Sequence, residues 1–147
     1  MTEYDFLFVQ NAPAFYKINL FNALSANYRI GVIFLGESEQ VVSDKNPMRW
    51  KFDAYYLNKN NIDKSNVIEV LTNSWKMRKL IRSVKYRYII YGGWTNAEFA
   101  IMMFLTSRKR NCIISESSIY ESTTTGINGF LKRLILNRSS HAFVSGL

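Results

Sequence analysis

Short, almost wholly apolar runs alternate along this chain with longer stretches in which apolar residues recur at helical spacing. Asp5–Gln10 (DFLFVQ) and Arg29–Leu35 (RIGVIFL) have the length and continuity of strands buried on both faces. Between them, Ile18, Leu20, Phe21 and Leu24 mark one face of a helix from about Tyr16 to Ala26, with Asn27 as its C-cap. Trp50–Leu57 reads as an irregular or edge strand and Val67–Leu71 as a short strand. Met77, Leu80, Ile81 and Val84 then recur at i, i+3, i+4 and i+7. They predict an amphipathic helix with Lys76, Arg78, Lys79, Arg82 and Lys85 on its wet side.

Tyr88–Tyr91 is the next apolar run, ended by Gly92-Gly93. Thr95, three residues before Glu98, has the spacing of a capping box for a helix from about Asn96 to Ser107. That helix is apolar on nearly every side, which predicts burial, and Arg108, Lys109 and Arg110 suit its carboxyl end. Cys112–Ser115 follows as a strand, with Glu116-Ser117-Ser118 just past it. Ile127, Phe130, Leu131, Leu134 and Ile135 mark a last helix, and His141–Ser145 a last strand. Glu37–Pro47 and Tyr120–Thr125 are polar and read as loops. The alternation predicts an α/β fold: a single Rossmann-like domain with a mostly parallel sheet flanked by helices. Asp5–Gln10 is expected near the sheet centre, with Arg29–Leu35 on one side and Tyr88–Tyr91 on the other.

Composition narrows the class. A chain of 147 residues, 48% hydrophobic and 15% aromatic, has the size of one domain and is not disordered. Its longest apolar stretch, Phe99–Leu105, is far shorter than the roughly 20 residues of a membrane span. The N-terminus has no basic region before its apolar run, so no secretory signal is expected. A single cysteine excludes an internal disulfide and a multi-cysteine zinc site, in keeping with a cytoplasmic protein. The net charge of +8 is unevenly spread. Residues up to Trp75 hold seven Lys/Arg and eight Asp/Glu, and those after it twelve and three. A basic second half suits an anionic membrane surface, nucleic acid or phosphorylated small molecules.

The residues that could carry chemistry are few. The first strand-to-helix loop, Asn11 to Lys17, has no glycine, so neither a dinucleotide fingerprint nor a P-loop can form there. His141, at a strand start, and Cys112, inside one, read as structural residues. Gly92-Gly93 serves either the close approach of a ligand to backbone N–H groups or a turn requiring positive φ. Trp94 offers a stacking face or a cap on the core. Glu116 is a hydrogen-bond acceptor and candidate general base, or a loop cap. Tyr16 and Lys17 stand at the mouth of the first helix.

The order APAFYKINLFNALS–YRIGVIFLG, RYIIYGGW, CIISESSIYES, GFLKRLILNRSSHAFVSG resembles the N-terminal domain of GT-B glycosyltransferases. Within that fold it is most similar to family-4-like bacterial enzymes that build surface polysaccharides. The likeness covers nearly all of residues 1–147, with Tyr16-Lys17 where the family often has Tyr-Arg. It implies an acceptor-binding half, inactive alone, of an enzyme transferring sugar from a nucleotide-sugar to a lipid-linked or nascent surface glycan. The donor would bind a second, C-terminal domain or a separate subunit, since its E-x7-E segment has no counterpart here. No metal or cofactor is expected in this chain. The implied location is the cytoplasm, peripheral at the inner, anionic membrane surface. Acceptor-binding residues would be Asn11, Tyr16, Lys17, Gly92, Gly93, Trp94, Thr95, Ser117 and Ser118, with Glu116 as the catalytic candidate. All leave the carboxyl ends of expected parallel strands and so share one rim of the sheet. Two other classes compete: a non-catalytic module binding a phosphorylated ligand through Gly92-Gly93-Trp94, and a nucleic-acid-binding protein. The second has no recognisable motif, and no nucleic-acid partner is expected.

Overall fold

Glu3–Gln10 forms the first strand, β1, and everything else is arranged about it. The computed structural model describes residues 2–36, 50–58, 66–94, 96–115 and 126–144. Ile30–Phe34 (β2) and Lys85–Tyr91 (β4) flank β1, both parallel to it, with Phe8 opposite Val32 on one side and Ile90 on the other. Asp53–Tyr56 (β3) adds outside β2; Asn111–Ser115 (β5) and His141–Val144 (β6) add outside β4. The spatial order is β3-β2-β1-β4-β5-β6, and every pairing is parallel. This is the expected Rossmann-like α/β architecture, with β1 between β2 and β4 as the apolar runs predict.

The four α-helices among the described residues are Phe15–Leu24 (α1), Val67–Ser83 (α2), Ala97–Leu105 (α3) and Gly126–Leu136 (α4). Alternation along β1 sends Leu7 and Val9 to one face, where Met77 and Ile81 of α2 and Phe99, Met102 and Met103 of α3 cover them. Phe8 goes to the other face and meets Ile18 and Phe21 of α1. Ile135 and Leu136 of α4 pack at the margin of the α2–α3 side, while Ile127, Phe130, Leu131 and Leu134 of its expected apolar face are exposed.

Three local readings need correction. Val67–Leu71 is not a strand but the opening of α2, whose N-cap Asn66 accepts a hydrogen bond from the Ile68 backbone at 3.0 Å. Its β-branched composition suggests a strand, yet Val67, Ile68 and Leu71 are all exposed, so no sheet packing rewards that preference. Secondly, α3 starts from Asn96 without a side-chain capping bond, and Glu98 is buried rather than reaching back to a cap. Thirdly, Arg108–Arg110 forms a separate 3-10 turn. The carbonyls at the end of α3 are met by a distant residue instead: Arg138 donates to Met103, Phe104 and Thr106, each at 3.3 Å.

Beside Arg138, Asn111 bolts three elements together. Its side chain is fully buried and donates to the carbonyls of Met103 at 2.9 Å and Arg138 at 3.0 Å, while its Oδ1 accepts from the Thr106 hydroxyl at 2.8 Å. Replacing it by leucine keeps the branching but adds bulk and takes the side-chain donor from the Arg138 carbonyl. It leaves the Met103 carbonyl only its longer bond from Arg138, while Thr106 keeps its bond to Met102. At about 1–3 kcal/mol for an orphaned buried group, Asn111→Leu should cost roughly 2–4 kcal/mol in urea unfolding. A loss below about 1 kcal/mol would show that the bolt is dispensable.

The tyrosines supply a pH signature. Burial pushes the hydroxyl of Tyr4 far above the ordinary tyrosine range, helped by its hydrogen bonds to Tyr55 and Asp53. Burial also raises Tyr91, opposed by its bond to Thr106, and raises Tyr86 against the pull of Arg110. Above about pH 10 the unfolded chain sheds these protons and the folded one retains them, so stability falls as pH rises. Spectrophotometric titration of the nine tyrosines should show a group that ionises only with alkaline unfolding. Reversible ionisation of all of them in the folded state would refute this.

Candidate functional site

At the carboxyl edge of the sheet, β1 ends in Gln10, whose side chain is only 1% exposed. Its Oε1 accepts from the Lys17 ammonium at 2.9 Å, so the first turn of α1 is tied to the end of β1. Its Nε2 is buried without a hydrogen-bond partner. The amide lies directly over Gly92: a Cβ at that position would stand 2.2 Å from the Gln10 Oε1. Gly92 is therefore the residue that makes room for Gln10, and its own N–H is bonded to the Val9 carbonyl at 2.9 Å. Gly93 has φ of +117°, with open space where a Cβ would be. The pair thus meets two separate demands, close approach at the first position and left-sided backbone at the second.

Asn11 follows β1, and its Oδ1 accepts from the side-chain amide of Asn96, the N-cap of α3. This bond spans the crevice between the β1–α1 and β4–α3 loops, where strand order reverses. Trp94 packs partly against the core, its Nε1 is buried without a partner, and the Lys132 ammonium lies 5.3 Å from its ring centroid. Glu98, in the first turn of α3, is 4% exposed and its Oε1 likewise has no partner. Tyr16 is exposed, with the Lys17 ammonium 5.7 Å from its ring centroid. A second polar group lies along α2: Asn58 donates to the buried Asn73 at 2.7 Å and accepts from Lys76 at 3.0 Å.

Of the expected site residues, the rim of the described structure includes Asn11, Tyr16, Lys17, Gly92, Gly93 and Trp94. Thr95, Glu116, Ser117 and Ser118 lie outside the described residues, as do the loops Glu37–Pro47 and Tyr120–Thr125. Sequence reasoning missed Gln10, Asn96 and Glu98. Each left a trace: Gln10 is the polar end of an apolar strand, Asn96 precedes a helix, and Glu98 is the one acid in an otherwise apolar helix. Chemically, the floor holds three side-chain amides and an ammonium, with a carboxylate oxygen and an indole N–H unpartnered nearby. Amide and ammonium groups are the donors and acceptors that pair with hydroxyl-rich or anionic groups through directed hydrogen bonds. Among the described residues no three of His, Cys, Asp and Glu gather as a metal site requires.

Comparisons with family models, curated proteins and solved structures gave no match.

The two glycines give a contrast that checks this geometry. Gly92→Ala must displace the Gln10 amide and break its bond to Lys17, so it should destabilise by about 1–3 kcal/mol and change the Gln10 side-chain NMR signals. Gly93→Ala should carry a backbone penalty of about 1–3 kcal/mol while leaving those signals in place. If both variants shifted Gln10 alike, its packing over Gly92 would be wrong.

Proposed function

We propose that this chain is the acceptor-side half of a two-domain glycosyltransferase, of GT-B type and family-4-like. On this reading it takes part in building a bacterial surface polysaccharide on a lipid-linked or nascent glycan. The observation that carries the reading is a polar floor at the strand-order reversal, bordered by apolar helix starts. Gln10, Asn11, Lys17 and Asn96 form that floor. Parallel strands oblige α1, α2 and α4 to begin at this same edge, and their opening turns expose Phe15, Tyr16, Val67, Ile68, Leu71, Ile127 and Phe130. A sugar attached to a lipid presents the matching pair of surfaces, hydroxyls beside hydrocarbon.

In this reading the amides and Lys17 hold acceptor hydroxyls or the phosphate of its lipid link, Trp94 stacks on a sugar ring, and Glu116 is an acceptor ligand. Glu98 adds a second carboxylate beside the floor. The nucleotide-sugar belongs to a donor-binding domain, in the same polypeptide or a partner subunit. No helix of the described residues is long and apolar enough to cross a membrane. On this reading the chain meets a cytoplasmic membrane face peripherally, through the exposed apolar turns with Lys132 and Arg133 beside them.

Titrating the isotope-labelled protein with an undecaprenyl-phosphate-linked sugar in detergent should shift Asn11, Lys17, Gly93, Trp94 and Asn96, with detergent alone subtracted. The same protein with UDP- or GDP-sugars should give no sustained transfer or hydrolysis. Shifts confined to the opposite edge would refute the rim as acceptor site; sustained turnover by this chain would refute its being half an enzyme. Joined to a donor domain, Glu116→Gln should raise the acceptor KM or lower kcat about tenfold or more, and unchanged kinetics would remove Glu116 from the site.

A further inference from the structure

The edge of the sheet opposite the candidate site holds a cavity of about 370 Å³ between the ends of α2 and α3. Arg78 and Arg82, one turn apart on α2, line one wall; Tyr86 and Ser107 line others. The Arg110 guanidinium, carried by the 3-10 turn, lies 6.0 Å from the Tyr86 ring centroid. Two arginines thus line the cavity with one phenol, a third flanks that phenol's ring, and among the described residues no carboxylate lines it. Two other hollows at this edge differ: each includes Glu3 and Arg29, joined by Asp53 in one and by Asp5 and Arg87 in the other, so their charges are mixed.

We propose that this cavity is a binding site for a phosphate monoester. Guanidinium forks pair with phosphate oxygens through two parallel hydrogen bonds, and the pair Arg78 and Arg82 matches a dianion better than a single carboxylate. The Ser107 hydroxyl supplies another donor. The Tyr86 phenol, protonated at neutral pH as any tyrosine is, can donate as well. Ile81, Met102 and Leu105 form apolar walls, leaving room beside the phosphate for a small organic group.

The opposing influence is the carbonyl ends of α2 and α3, each equivalent to about half a negative charge. At α3 those carbonyls are already engaged by Arg138. At α2 the effect fades within the last turn, and Arg78 lies beyond it. The balance leaves the cavity cationic. The site is separate from the carboxyl-edge rim and stands or falls independently of the acceptor reading.

Calorimetric titration with inorganic phosphate and glycerol 3-phosphate, and sedimentation with phosphatidylcholine vesicles with and without phosphatidic acid, test it. Binding of the soluble probes supports a free phosphorylated ligand; binding only to phosphatidic acid vesicles supports a lipid headgroup. In either case Arg78→Gln with Arg82→Gln should weaken binding about tenfold or more, and Tyr86→Phe severalfold. Arg29→Gln with Lys51→Gln removes the same charge from one of the mixed-charge hollows and should change binding less than about twofold. Circular dichroism and melting verify that each variant is folded. No binding of any phosphate probe by the parent protein, or equal loss in both double variants, overturns the proposal.

Discussion

Right-handed connection between parallel strands is the constraint from which the rest of this molecule follows. Leaving β1 for β2 carries α1 across one face; crossing back past β1 to β4 and then β5 carries α2 and α3 across the other. The loops after β1 and β4 therefore diverge to opposite faces and leave a crevice between them. Asn11 and Asn96 bridge that crevice, and Gln10 lies in its floor because Gly92 has no side chain to exclude it. An ordinary rule of chain direction thus produces a concave, polar place at one edge. It simultaneously brings the ends of α2 and α3 together at the other, where the arginine-lined cavity forms.

The two edges satisfy their polar groups differently. At the amino edge, Asn111 and Arg138 meet the carbonyls at the end of α3 by direct bonds, and the result is a closed structural joint. At the carboxyl edge, Gln10 Nε2, Trp94 Nε1 and Glu98 Oε1 are buried without partners. Asn73 Nδ2 and Ser74 Oγ of α2 are buried without partners too, so the contrast is between one fully bonded joint and polar groups spread over β1, α2, the β4–α3 loop and α3.

The sheet was legible because buried parallel strands must be apolar on both faces, and FLFV, IGVIF and YIIY are so. Their order about β1 followed from the helices between them. Val67–Leu71 misled because its β-branched residues are exposed on α2, where packing does not decide and only the Asn66 cap reveals the helix. The role of Arg108–Arg110 was misplaced because the residue that completes α3 is Arg138, about thirty positions away, and no local pattern announces such a contact. Asn11, Lys17 and Gly92 could be placed at the rim from topology alone. The bond of Gln10 to Lys17, and the reason Gly92 is glycine, depend on two strands meeting in space.

The same division explains why net charge is a poor guide here. In the sequence, α2 carries Lys76, Arg78, Lys79 and Arg82 as if along one solvated face. In the folded protein they part company: Lys76 reaches Asn58 near the carboxyl edge, Lys79 lies 5.7 Å from the exposed Trp75 ring, and Arg78 and Arg82 line the cavity at the other end. A diffuse basic face would lose anion affinity in proportion to whichever charges were removed. Here α2 distributes its cations among three different surroundings, so the position of a charge matters more than the sum. A strongly basic chain of this kind need not offer one broad surface to a polyanion; it can offer small sites at opposite ends of one sheet, each with its own chemistry.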